Sequence, residues 1–304
     1  MAGLCEGRVC IVTGAGRGIG REYALMLAAE GARVVVNDLG GARDGVGTDA
    51  GPAAEVVAEI EAAGGTAVAN TDDVSSFEGA ERLVAQAIDT YGGLDVVVNN
   101  AGILRDRMLV NMTEAEWDAV ITVHLKGTFA PSHFAARYWR DRAKAGEAND
   151  ARIINTTSVS GIYGNAGQTN YGAAKSGIAG FSFIASLELE RYGVTVNAIA
   201  PAALTRLTED LGPAPTGDDA EAALDAMSPR WIAPIVCWLA SSGSAHVTGR
   251  VFEASGRVLA VAEGWHRGPA TTPVDDPAAI GELVDHLLER ARPPADMSGA
   301  DRRR

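Results

Sequence analysis

Tyr171 and Lys175 stand four residues apart in Tyr171-Gly-Ala-Ala-Lys175, and on a helix such positions share one face about a turn apart. A phenol and an ammonium in one site make an acid–base pair. A neighbouring positive charge favours the phenolate. The spacing therefore predicts a tyrosine drawn down from its ordinary pKa near ~10 toward working pH, where proton transfer is efficient. Ser158 lies thirteen residues upstream of Tyr171, just after the apolar run Arg152-Ile-Ile-Asn155. A hydroxyl at a strand end could hydrogen-bond a substrate oxygen as charge develops on it. The chain has only three lysines and six tyrosines, so chance seldom makes this pair. The alternative is a surface Tyr and Lys on an ordinary helix, and the elements around the pair must decide.

Those elements alternate. Arg8 to Thr13 is a short apolar, β-branched run, read as a buried strand. Thr13-Gly-Ala-Gly-Arg-Gly-Ile-Gly20 follows, and then a helix over Arg21–Glu30 stopped by Gly31. Strand, glycine loop and helix form the context in which such a loop holds a dinucleotide. Gly14, Gly18 and Gly20 permit a tight turn, close approach to pyrophosphate and close helix packing, and the helix N-terminus offers N–H groups to phosphate. The competing reading is a plain glycine-rich turn. Ala32 to Asp38 is a second strand. Asp38 at its end can accept bonds from the ribose hydroxyls of NAD and repels the 2′-phosphate of NADP; the alternative is a helix- or loop-capping Asp. Arg17 and Arg43 could each meet a 2′-phosphate, but Asp38 favours NAD.

A helix over about 52–63 leads to a third strand, Thr66–Asn70, and to Asp72-Asp73-Val74. These acids either contact adenine or cap a helix starting near Ser75. Leu94 to Asn99 is a fourth strand running into Asn99-Asn100-Ala101-Gly102, which either ties neighbouring strands beside a bound cofactor or is an Asn-Gly turn. Thr113 and Glu116 make a capping box for a long helix carrying Val123-His124-Leu-Lys-Gly127. Val194 to Ile199 is a sixth strand ending at Pro201, and residues 202–228, rich in Thr, Pro, Gly and acids, read as a substrate lid. A helix over 229–240 and a last strand over 249–253 complete one doubly wound, Rossmann-like α/β parallel sheet of about seven strands, helices on both faces. Gly14, Asp38, Asn99, Ser158 and Pro201 all fall at strand ends, where such sheets bind ligands.

The chain has 304 residues, 47% hydrophobic and 21% charged, with a net charge of −13. This suits one domain over residues 1–265. Residues 266–304 form an extension with one amphipathic helix at about 277–291, whose stripe Ile280, Leu283, Val284, Leu287, Leu288 would dock on the domain or on another subunit, and a disordered end. The acidic charge argues against nucleic acid or an anionic membrane as partner. No apolar run is long enough for a membrane span and the N-terminus has no secretory pattern. Cys5, Cys10 and Cys237 show no metal-ligand spacing, so no metal is expected, and free thiols suit a cytoplasmic protein.

Thr13-Gly-x-x-x-Gly-x-Gly20, Asn99-Asn-Ala-Gly102, Ser158 and Tyr171-x-x-x-Lys175 together resemble the short-chain dehydrogenase/reductase family over about residues 5–256. Val36-Asn-Asp-Leu-Gly-Gly41, Asp72-Asp-Val-Ser75, Gly102 to Met108 and Val123 to Phe129 are similar to the (3R)-hydroxyacyl-CoA dehydrogenase part of multifunctional enzyme type 2 and to its stand-alone actinobacterial relatives. The resemblance implies NAD(P)-linked interconversion of a secondary alcohol and a ketone. Tyr171 would be the general base, Lys175 would bind the nicotinamide ribose and lower the tyrosine pKa, and Ser158 would position the substrate oxygen. Gly14, Arg17, Gly18, Ile19 and Gly20 would hold pyrophosphate, Asp38 the ribose, Asp73 and Val74 the adenine, Asn99, Asn100, Ala101 and Gly102 the cofactor backbone, and Thr205 the carboxamide. His124 stands where the family usually has an Asn supporting a water-linked proton path; it either substitutes for that Asn or is a packed helix residue. Pro201-Ala202 replaces the usual Pro-Gly at the nicotinamide contact. Expected substrates are a 3-hydroxyacyl-CoA or, alternatively, a hydroxysteroid or other bulky alcohol; a weakly active nucleotide-binding subunit is a third reading. A homodimer or homotetramer is the family expectation.

Overall fold

A computed structural model describes residues 3–42, 44–205 and 220–302. Arg43 and most of the expected lid lie outside the described residues.

The β-branched runs become strands because their side chains fill both faces of a covered sheet. β1 (Val9–Thr13), β2 (Arg33–Asn37), β4 (Val96–Asn99) and β5 (Ala151–Thr156) are buried almost throughout. β3 (Thr66–Asn70), β6 (Val194–Pro201), β7 (Val251–Ala254) and β8 (Leu259–Ala262) complete one sheet in the order β3-β2-β1-β4-β5-β6-β7-β8. Neighbours from β3 to β7 pair in parallel; β8 runs antiparallel to β7. The strand count is therefore one above expectation. β8 escapes a sequence reading because it is four residues long and only a Ser255–Val258 turn, closed by Ser255 N–H to Val258 O (2.8 Å), separates it from β7.

Helices cover both faces. α1 (Gly18–Ala29), α2 (Gly51–Ala62) and α9 (Ala233–Ala240) pack one apolar cluster with Val34, Val36, Val96 and Val98 of the sheet. α3 (Phe77–Tyr91), α5 (Gly127–Lys144) and α7 (Thr169–Leu189) pack the other with Ile11, Val35, Val97 and Ile153. Strand order reverses between β1 and β4, so a crevice opens at their carboxyl ends.

Three local departures bear on the site. α4 (Glu114–Ile121) has the expected capping box, but the helix does not continue regularly to Gly127: Thr122–Lys126 forms a wider π-helical turn before α5. Within 229–240, Pro229–Trp231 is a separate tight turn ahead of α9. Of the expected lid, 220–226 is helix α8, and the excursion is tied at its base by Leu204 N–H to Met227 O at 2.6 Å.

A first compact unit ends at Ala262 and a second begins at Glu263. The second holds α10 (Ile280–Arg290), three residues shorter at its start than the periodicity suggests. Beyond it, Asp296 accepts from Ser298 N (2.8 Å), and Arg292 pairs with Asp301 at 2.9 Å, so a turn forms where the sequence suggests none.

Candidate active site

The site is assembled from the loops that leave β1, β4, β5 and β6. At the exit of β1, Gly14 (φ +63) and Gly18 (φ +57) take up the left-handed backbone region that glycine favours. A Cβ on Gly14 would lie 2.7 Å from Ala101 Cα, and one on Gly20 2.2 Å from Gly14 O. Gly16, which the sequence reading passed over, is as constrained: its Cβ would meet Pro52 at 2.7 Å. α1 begins at Gly18 with Arg17 at its cap and no side chain bonded to its first N–H groups. By contrast, Ser76 caps α3 and Thr113 caps α4. A helix start left uncapped beside close-packed glycines fits a phosphate. Ile19 packs against the first core cluster, and Thr205 lies opposite Gly18, within 3.6 Å of where its Cβ would be.

Asp38 follows β2 directly. Its Oδ2 accepts from Gly16 N (2.8 Å) and its Oδ1 from Gly40 N (2.7 Å). The carboxylate thus fastens the glycine loop, and its remaining lone pairs can accept further donors. Asp73 Oδ1 accepts from Ser75 N (2.8 Å) and Ser75 Oγ (2.7 Å) in the turn ahead of α3, whose cap is Ser76, while Val74 is buried in the core.

The Asn99–Gly102 segment is tied to its neighbours. Asn99 Nδ2 donates to Ser132 Oγ (2.9 Å) and Asn155 Oδ1 (2.8 Å), linking β4 to α5 and β5. Asn100 Nδ2 donates to Thr13 O (3.0 Å) and Gly14 O (3.1 Å). Thr13 Oγ1 accepts from Asn100 N and Ala101 N, making Thr13 a further site residue that the sequence reading missed. Asn99 Oδ1 is buried without a partner. Pro201 ends β6, where Ala202 N–H bonds to Ala254 O at 2.9 Å.

Ser158, Tyr171, Lys175 and His124 come together. Ser158 is buried at the cap of the one-turn helix α6 (Val159–Ile162), and its hydroxyl reaches the Tyr171 phenol. Lys175 Nζ stands 5.6 Å from the centre of the Tyr171 ring and donates to Thr156 O at 2.6 Å. The His124 ring meets the Tyr171 ring edge-on with centres 5.2 Å apart. Asn170, fully buried, holds the start of α7: it donates to Arg105 O (2.9 Å) and its Oδ1 accepts from Tyr171 N (2.8 Å). Its flanking polar sequence gave no sign of that role.

The electrostatics correct one expectation. Burial pushes the Tyr171 phenol up to about 12, the Ser158 hydroxyl pulls it back, and the Asp106 carboxylate adds to the rise. Burial pulls Lys175 down to about 7. The ammonium does not draw the tyrosine toward neutrality in this cleft; loss of water around both groups outweighs their attraction, because desolvation disfavours each charged form. His124, buried and beside Lys175, is pulled down to about 3 and is neutral. Its Nε2 lies 2.7 Å from Ile103 O and 3.1 Å from Ile103 N. One nitrogen cannot donate and accept together, and the shorter contact assigns the proton to Nε2. Nδ1 is then a buried acceptor with no partner. The π-helical turn carries this histidine, as such turns often do at working sites.

Residues 8–214 match the family model described as short chain dehydrogenase. The chain belongs to the short-chain dehydrogenase family. As a family member it is an oxidoreductase acting on CH–OH groups with a nicotinamide nucleotide. A solved short chain dehydrogenase from Mycobacterium avium is 51% identical, with TM-score 0.86, covering 97% of this chain and 99% of that one. A hydroxyacyl-CoA dehydrogenase of Mycobacterium tuberculosis is 48% identical over 255 residues, 81% of this chain and 77% of that protein. The peroxisomal multifunctional enzyme type 2 of Mus musculus is 45% identical over 260 residues, covering 86% of this chain but 32% of that protein. Among the described residues no helix is long and apolar enough to cross a membrane.

Proposed function

We propose that this family member is an NAD-dependent dehydrogenase of a 3-hydroxyacyl-CoA-type secondary alcohol. The observation that carries the reading is the meeting of Ser158, Tyr171 and Lys175 in one strand-end cleft beside an uncapped helix start. Asp38 supports NAD: a carboxylate fastened to the glycine loop repels a 2′-phosphate. The similarity to a hydroxyacyl-CoA dehydrogenase supports the substrate class. The α1 start and glycine loop would hold pyrophosphate and Asp38 the adenosine ribose; the bound dinucleotide supplies a hydride acceptor.

In alcohol oxidation Ser158 Oγ holds the substrate oxygen, and Tyr171 Oη, deprotonated first, takes the hydroxyl proton and returns to the neutral phenol that burial favours. Lys175, which burial brings to about 7 and so makes available as the neutral amine, can accept the phenol proton when that phenolate forms. His124 keeps its Nε2 proton on the Ile103 carbonyl and presents Nδ1 as an acceptor near the lysine. His124 is thus a neutral hydrogen-bonding group rather than an acid.

The test is turnover of (3R)- and (3S)-hydroxyacyl-CoAs and hydroxysteroids with NAD and with NADP. Preferred oxidation of an acyl-CoA with NAD is expected. NADP preference would overturn the reading of Asp38, and turnover of steroids alone would overturn the substrate class.

A further inference from the structure

α6 has four residues, too few to be stable by their own hydrogen bonds. It nevertheless carries Ser158 at its cap, so packing must hold it. One hold is visible against α7. A Cβ on Gly161 would lie 2.7 Å from Lys175 C and from Ser176 N, so the turn sits flush on the helix bearing the lysine. Ser176 Oγ donates to Gly161 O. A second hold comes from the opposite side. Tyr163, the residue closing α6, donates its hydroxyl to Glu253 Oε1 at 2.5 Å. Glu253 lies in β7, paired with Ala200 of β6. Both side chains are half-buried, and the Glu253 carboxylate accepts from the Tyr163 hydroxyl. A carboxylate accepting from a phenol in this half-buried setting is a short, charge-assisted strut.

After Tyr163 the chain is exposed through Ala166 and is next fastened at Gly167, whose carbonyl accepts from Arg107 N (2.8 Å), and at Gln168, which donates to Asp106 (2.7 Å). The Tyr163–Glu253 contact is therefore the outer anchor of α6 toward the sheet edge. We propose that Glu253 is a positioning residue for Ser158: through Tyr163 it fixes the one-turn helix whose cap sets the serine hydroxyl. The inference rests on the reading of Ser158 as the residue that holds the substrate oxygen.

Tyr163→Phe, Glu253→Ala and Glu253→Gln test it in the full chain, with two readouts. In steady-state oxidation, Tyr163→Phe and Glu253→Ala are expected to lower kcat about ten-fold, the scale of a lost charged hydrogen bond, with KM for NAD unchanged. Glu253→Gln keeps an acceptor and should restore most of the rate. Hydrogen exchange at amides 160–164 should quicken in the first two variants and return toward wild type in Glu253→Gln. A rise in KM for the alcohol alone would make Glu253 a substrate contact and overturn the proposal. So would unchanged exchange, or Glu253→Gln as impaired as Glu253→Ala. If the wild type turns over no alcohol, the reading of Ser158 fails, and the exchange rates still decide whether the strut holds α6.

Discussion

Lys175→Met should make the cofactor-free protein more stable, with a pH dependence that identifies the cause. Lys175 is buried, and burial lowers its pKa from 10.5 to about 7. Folding therefore expels a proton that the unfolded chain keeps. Each pKa unit is about 1.4 kcal/mol, so this gap is a cost of roughly 5 kcal/mol at most, fully present below the folded value. As pH rises through the window from about 7 to 10.5, the cost is relieved and wild-type stability climbs. Met fills similar volume without charge but leaves the Thr156 carbonyl, now 2.6 Å from Nζ, without its donor, a loss of about 1–3 kcal/mol. The net expectation is a gain of roughly 2–3 kcal/mol at pH 6 that fades and reverses toward pH 10. Urea unfolding of both proteins across that range measures it. A variant less stable at pH 6, or a difference that does not change with pH, would refute the argument.

Other predictions follow from the same cleft. His124 is neutral down to about 3, so the fold loses stability as pH falls from 6.5 toward that value; His124→Asn should flatten this acid limb in denaturation curves. Gly102→Ala places a Cβ 2.4 Å from His124 Cε1. It should cost about 1–3 kcal/mol by overpacking and lower turnover, both read from melting and kinetics, with His124→Asn relieving part of the loss. Asp38→Ala should lower kcat/KM for NAD and raise the NADP-to-NAD ratio by about ten-fold, measured with one alcohol and both cofactors.

The strands were legible because β1, β2, β4, β5 and β6 are β-branched runs whose burial on both faces leaves no alternation to misread. The cleft was legible because Gly14, Asp38, Asn99, Ser158 and Pro201 each follow such a run. β8 was not, since four residues of Leu and Val among alanines resemble any loop. Nor was the π-helical turn at His124, whose ring packs against Gly102 and Tyr171 from segments far away in the chain. Thr13, Gly16 and Asn170 act through backbone groups from distant segments, so their spacing carries no signal. The sign of the Tyr171 shift is not legible in the spacing for a similar reason. Spacing brings the charges near each other, but burial decides whether either is charged.

The most direct test is reduction of NAD by a 3-hydroxyacyl-CoA, followed as reduced-nicotinamide absorbance in wild type and in Tyr171→Phe. The phenol Oη is the proposed proton acceptor, and Phe keeps the ring that packs on His124 and Lys175. The account predicts a fall in kcat of about 10²-fold or more, the usual worth of general acid–base catalysis, with NAD binding retained. A Tyr171→Phe enzyme that oxidises the alcohol at a rate near wild type would contradict it.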